Sequence, residues 1–321
     1  MIKNKILFLL AIAAIFGFPG CATSNNPQKA MMKEMAHRQE LAQQKAAADI
    51  AAQEEMAKKI PEMKADGYER EGDNYIRQGN MDMAFVQYEK AQNLDPDSNG
   101  VRYKLGWLLL NRGLNAEALK NFEEIQRREP DNALAYEGIG RVNIALKDYD
   151  KAGKNLEKAL QLKPDFWQCH ALFAFLYDRQ GRYDDAIASY QKAIAIKSDS
   201  FLLYNNLGMS YYMKGDYEKS VEAYIHALKV NEKAPPATYN NLGIALGKLG
   251  RYNDAMNIFK RAGDEASACN NMGMVYMADK KYVQALESFE KAIELKPSFY
   301  IKAHENIAKA KDAMKSVSAT P

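Results

Sequence analysis

One small residue returns at a near-fixed interval along most of this chain. Gly72, Gly106, Gly140, Ala174, Gly208, Gly243 and Gly273 stand 34, 34, 34, 34, 35 and 30 residues apart. A period of that size marks a stack of like units, each packing only on its neighbours. Such a chain has no single pocketed core and offers a long surface instead. Around each small residue the pattern is that of two packed helices. With Ala65 as position 1, positions 8, 20 and 27 are Gly72, Ala84 and Ala91, and positions 4, 11 and 24 are Tyr68, Tyr75 and Tyr88. Small side chains let two helix backbones approach, and large ones fill the space between them. Gly79 suits the turn between the helices, and Pro96 stops the second. In the second copy, Gly106 and Ala118 are expected to face each other.

The same grammar recurs as Leu105, Gly106, Phe122 and Pro130, as Tyr136, Gly140, Ala152 and Pro164, and as Tyr177, Gly181, Ala186 and Tyr190. Later copies read Tyr204, Gly208, Gly215 and Tyr224, then Tyr239, Gly243, Gly250 and Phe259, then Met272, Gly273, Ala285, Phe289 and Pro297. This pattern resembles the tetratricopeptide repeat (TPR) family over roughly residues 65–315. The resemblance implies an all-α fold: a right-handed superhelical solenoid of about seven TPR helix pairs over 65–298, a C-terminal capping helix over 299–315 and a disordered tail at 316–321. Ile301, Ile307, Ala308 and Met314 give the cap an apolar side. Some copies depart from the pattern. Ser198 replaces the terminal Pro in copy four, copy five ends around Pro235 and Pro236, and copy six is short. Its second helix is expected to lose about a turn, with irregular structure between 230 and 268. That is either drift in a tolerant array or a change of pitch that shapes a site.

The N-terminal residues suggest a compartment. Lys3 and Lys5 precede an apolar run from Ile6 to Phe18, 13 residues long. A membrane-spanning helix needs about 20, so the run is read as a signal peptide over 1–20. It ends in Phe18-Pro19-Gly20-Cys21, which resembles a bacterial lipobox. Phe18 and Pro19 depart from the commonest form of that motif. The resemblance implies that Cys21 is acylated and becomes the anchor. Ala22 does not match the inner-membrane retention signal, which implies the periplasmic face of an outer membrane. An ordinary secretory signal, with Cys21 following Gly20 by chance, is the plainer alternative. Residues 21–64 then form the anchor, a polar linker and a spacer. From Lys29 to Lys59 the spacer is rich in good helix formers, but Met31, Met35, Leu41, Ile50, Met56 and Ile60 make only a ragged stripe. A partly ordered spacer fits that better than a dimerising helix.

Composition excludes several functions. Without residues 1–20 the balance is 42 basic to 41 acidic side chains, which gives no electrostatic case for nucleic acid. No phosphate loop, nucleophile elbow or ligand pair stands out. The four histidines at 37, 170, 226 and 304 are scattered, and Asp184 and Asp185 read as helix-capping residues. No enzyme activity, cofactor or metal is expected. Cys169 and Cys269 lie three copies apart, too far for a disulfide within one array, and read as buried thiols.

What remains is a groove. In TPR arrays the first helix of each pair lines the concave surface, chiefly through positions 2, 5, 9, 12 and 13. Positions 5 and 6 are Asn205 and Asn206, Asn240 and Asn241, and Asn270 and Asn271 in the last three copies, and Asn306 is a possible fourth rung. An amide donates and accepts at once, so an asparagine column can pair with an extended peptide. The column resembles the asparagine ladder of some TPR proteins. The other reading is that these amides bond to the neighbouring helix. Tyr103, Trp107, Phe175, Met209, Tyr212, Met213, Ile244, Met274 and Met277 would make the surrounding groove soft and apolar. Arg141, Arg179 and Lys248 are isolated, so a clamp for acidic C-terminal tails is not expected.

The lipobox and the short sixth copy together resemble the TPR lipoproteins of tight-adherence (Flp/Tad) pilus assembly and the pilotins of type IV pili. That resemblance implies a lipid-anchored, non-enzymatic scaffold that binds protein or peptide partners for pilus or secretion machinery. A docking regulator of cell-wall or polysaccharide-export enzymes is the alternative.

Overall fold

The computed structural model describes residues 34–35, 37–38, 40–45, 47–48, 63–297 and 300–318. The chain divides into two units, Met1–Met63 and Lys64–Pro321. In the first unit the described residues between 34 and 48 are helical. Arg38 pairs with Glu34 one turn earlier at 2.8 Å, and Met35 and Leu41 are exposed. The leader, Cys21 and the rest of the spacer stripe lie outside the described residues.

The second unit is a succession of helix pairs. In chain order they are α1 (Ala65–Arg77) with α2 (Met81–Leu94), α3 (Asn99–Asn111) with α4 (Asn115–Arg128), and α5 (Ala133–Ala145) with α6 (Tyr149–Leu162). Next come α7 (Trp167–Arg179) with α8 (Tyr183–Ile196), and α9 (Phe201–Lys214) with α10 (Tyr217–Val230). Then α11 (Pro236–Lys248) pairs with α12 (Tyr252–Ala262), α13 (Glu265–Ala278) with α14 (Tyr282–Leu295), and α15 (Tyr300–Ser318) closes the unit. The last helix runs three residues past 315. Among the described residues no helix is long and apolar enough to cross a membrane.

Local chemistry fixes these boundaries. Asn80, Ser98, Asn132, Asp148, Asp216 and Asp264 each accept a backbone N–H from the first turn of the helix that follows. Position 15, in the turn inside each pair, is left-handed in every copy. Gly79, Gly113, Gly181, Gly215 and Gly250 hold it in five copies, and Lys147 and Lys280 take φ of 62° and 60° in the other two. A side chain is strained there and glycine is not.

Packing follows the small-to-large rule. A Cβ at Gly106 would sit 2.8 Å from the Phe122 ring, and one at Gly208 would sit 2.8 Å from Tyr224. The large side chain of position 24, a ring over five of the glycines and Leu156 over Gly140, thus fills the space at position 8, and in copy five Ser220 at position 20 donates its hydroxyl to the Gly208 carbonyl at 2.7 Å. Ala118, Phe122 and Ile125 are all fully buried in one cluster. Helix α12 has 11 residues where α10 and α14 have 14, so the expected loss of about a turn is present. Only Gly263 and Asp264 link α12 to α13.

Each pair packs on the next, and the first helices also touch one another: α3 with α5, α5 with α7, α9 with α11, α11 with α13, and α13 with α15. Lys104–Glu69 links α1 to α3 and Ser210–Asp178 links α7 to α9, so the first helices make one row.

Candidate peptide-binding groove

Side chains along this row form rungs between neighbouring copies. At three junctions a residue at position 6 of one copy reaches back to position 5 of the copy before it. Asn271 Nδ2 on α13 donates to Asn240 Oδ1 on α11 at 3.0 Å. Asn306 Nδ2 on α15 donates to Asn270 Oδ1 at 3.2 Å. At the other end Lys104 Nζ on α3 donates to Glu69 Oε1 on α1 at 2.8 Å in the same register. The amides thus do bond between helices. Each Asn still keeps a second N–H or further lone pairs, since a primary amide offers two donors and two acceptor sites. Between copies five and six the rung is incomplete. Asn205 turns to Asn206 at 3.3 Å, and its Oδ1 is buried without a partner among the described residues. Asn241 holds in α11 the position that Asn271 holds in α13.

The groove resolves into two cavities. The C-terminal one has a volume of about 420 Å³ and is lined by Tyr212, Asn240, Ile244, Lys248, Asn271, Met274 and part of α13 near Asp279. It lies between α11 and α13, beside the shortened α12. Ile244 and Met274 are 39% and 49% exposed, although large apolar side chains are usually withdrawn from water. Asp279 is 3.9 Å from Lys248 and accepts the Tyr252 hydroxyl at 2.8 Å.

The N-terminal cavity, of about 380 Å³, draws on α1, α2, α3, α5 and α7. Tyr103 and Trp107 line it, as do Asp73, Lys104, Arg141 and Trp167. Its chemistry is ionic. Lys104 bonds both oxygens of Asp73, at 2.7 and 2.9 Å, and Tyr88 donates to Asp73 at 2.7 Å. Burial raises the Asp73 pKa, but the Lys104 ammonium and the Tyr88 hydroxyl outweigh it and hold the carboxyl below its ordinary value. Glu137 is fully buried behind this wall; it takes the Tyr103 hydroxyl at 2.7 Å and the Arg141 Nε–H. Burial, then the Glu137 charge, pushes the Tyr103 phenol far above its ordinary range. Burial likewise raises the Cys169 thiol, and Glu137 adds to that. Cys169 and Cys269 are both free and buried.

The remaining sequence candidates are spread along the same helices. Phe175 on α7 and Met209 and Met213 on α9 are exposed, and Met209 Sδ lies 4.0 Å from the Tyr224 hydroxyl. Met277 is displaced toward the core: with Tyr276 it packs on the cluster of Phe289 and Ile307 under α14 and α15. Arg141 and Lys248 are not isolated, because each faces a carboxylate. Trp167, Lys104, Asp73 and Glu137 were not singled out from sequence. The available signal was Glu69, Tyr103 and Glu137 at position 5, the position of the asparagines. Among the described residues no group of three His, Cys, Asp or Glu side chains is arranged to hold a metal ion.

Helix pairs of this packing, with position-8 glycine under a position-24 ring, define a tetratricopeptide-type solenoid, and residues 266–299, which span α13 and α14, match the tetratricopeptide repeat. Residues 26–272 match the family described as the cilia and flagella-associated protein 70 C-terminal domain, and the chain belongs to that family. No curated protein matches the chain. Among solved structures it is similar to a thermophilic TPR protein in Thermus thermophilus, at 24% identity and a TM-score of 0.50, over 60% of this chain and 99% of that one. It is also similar to a tetratricopeptide repeat protein from Parabacteroides merdae, at 16% identity and a TM-score of 0.47, over 77% and 98% of the two chains. A third, YrrB, described as a TPR protein with an unusual peptide-binding site, shares 20% identity at a TM-score of 0.49, over 60% of this chain and 97% of that one. The fold is that of a protein-interaction scaffold.

Proposed function

We propose that this chain is a non-enzymatic scaffold that holds a protein or peptide partner along its row of first helices. The observation that carries the reading is the C-terminal cavity, where exposed Ile244 and Met274 flank the Asn240–Asn271 amide pair. Apolar surface held open beside donors and acceptors suits an extended backbone with apolar side chains. We further propose that Cys21 carries lipid, that the protein sits at the periplasmic face of a bacterial outer membrane, and that it serves assembly of pilus or secretion machinery. Support for these parts comes from the Gly20-Cys21 junction and the likeness to TPR lipoproteins described above.

Ile244→Asp with Met274→Asp tests the groove. Both side chains are partly exposed, so the melting temperature should hold while capture of the partner by the full chain is lost. Undiminished capture at full stability would refute the groove. Cys21→Ser should release the protein from membranes or leave an unprocessed precursor; normal processing with unchanged membrane fractionation would refute the anchor.

A further inference from the structure

The N-terminal cavity contains a donor that the fold does not use. All three Lys104 protons are committed, to Asp73 Oδ1, Asp73 Oδ2 and Glu69 Oε1. Arg141 differs. Its Nε–H goes to Glu137, whose other oxygen is taken by Tyr103. The Nη1 and Nη2 groups of Arg141 meet no acceptor among the described residues, although the side chain lines the cavity and is only 26% exposed. A planar fork of free N–H groups in a half-dry site calls for a carboxylate, which it can hold through two parallel bonds. The apolar walls lie to either side. In helix order Trp107 on α3 precedes Arg141 on α5, and Trp167 on α7 follows it.

We propose that this cavity is a subsite for an acidic side chain in an extended peptide, with large apolar side chains two residues before and two residues after it. Alternate residues of an extended chain share a face, so the carboxylate meets Arg141 while its two neighbours on that face lie against Trp107 and Trp167. An internal acidic residue fits better than a chain terminus, because the lining continues on both sides of α5. A peptide that ended at Arg141 would leave one tryptophan uncovered. The subsite rests on the reading of the groove as a peptide site, and it adds a charge preference to it.

The chain has two tryptophans, and both line this cavity, so intrinsic emission reports on it directly. The probe is acetyl-Gly-Leu-Ser-Glu-Ser-Phe-Gly-amide, titrated into the full chain. Emission should change saturably. The same peptide with Gln for Glu should bind about tenfold more weakly, as should a peptide whose lone carboxylate is its C-terminus. Arg141→Lys keeps a cation beside Glu137 but removes the fork. It should melt near wild type and lose about the same factor for the Glu peptide. Equal binding of the Glu and Gln peptides, preference for the C-terminal carboxylate, undiminished binding by a folded Arg141→Lys, or no emission change would each overturn the subsite. If capture through Ile244 and Met274 persists alongside such a result, the groove reading stands and the charge preference fails.

Discussion

The two ends of the groove use one geometry and two chemistries. At the N-terminal end the rung is Lys104 to Glu69, and at the C-terminal end it is Asn271 to Asn240, with nearly equal lengths of 2.8 and 3.0 Å. The repeat fixes where position 6 meets position 5 of its neighbour. It leaves open what stands there. Behind the ionic end lies a fully buried carboxylate, Glu137; behind the amide end lie Val275 and Ala245. The first end therefore carries large opposing terms, charge burial against charge pairing, while the second carries small ones.

Removing Glu137 should show the difference at its largest. Glu137→Ala leaves Arg141 without its buried partner and should cost about 3 kcal/mol, against about 1 kcal/mol for Asn240→Ala. Urea denaturation of both variants measures this, and equal costs would break the comparison. Next in size is a steric test at the amide end. A Cβ on Gly247 would run into Val275 of α13, so Gly247→Ala should cost about 1–3 kcal/mol and pry α11 from α13. Amide exchange should then rise first in those two helices; unchanged stability and exchange would mean the contact is slack.

The backbone should behave alike at both ends. Lys147→Gly and Lys280→Gly each relieve a left-handed side chain and should each raise stability by about 1 kcal/mol. A clear inequality between their thermal melts would show that turn geometry, and not only side-chain chemistry, differs along the array. The smallest effect is with acid. Because the folded Asp73 pKa lies below its ordinary 3.8, its contribution is present above that value and fades as pH falls through the folded pKa. For a carboxylate this exposed the amount is under about 1 kcal/mol. Tryptophan emission below pH 3.8 should report it, and Lys104→Met should remove that step; an unchanged acid profile in that variant would contradict the pairing.

Much of the fold was legible because position within a repeat is a local property. Gly72 to Gly273 announced the helix pairs, and the 30-residue interval announced the short α12. The groove was legible by face but not by partner. Lys104 meets a residue 35 positions away, and Asn271 meets one 31 away. Which copy supplies the partner depends on how pairs stack, and no single copy encodes that. Lys248 looks isolated in sequence for this reason, since its carboxylate, Asp279, stands on the next copy, whereas the partner of Arg141, Glu137, lies one turn earlier on its own helix and is readable at i, i+4.

The central claim is that partners are held along the row of first helices. A photo-crosslinking residue at Met274 on α13 and another at Glu222, exposed on α10, test it in cells, where the partner need not be identified beforehand. Crosslinked product from Met274, with none from Glu222, is the expected result. Product from Glu222 alone would contradict the account.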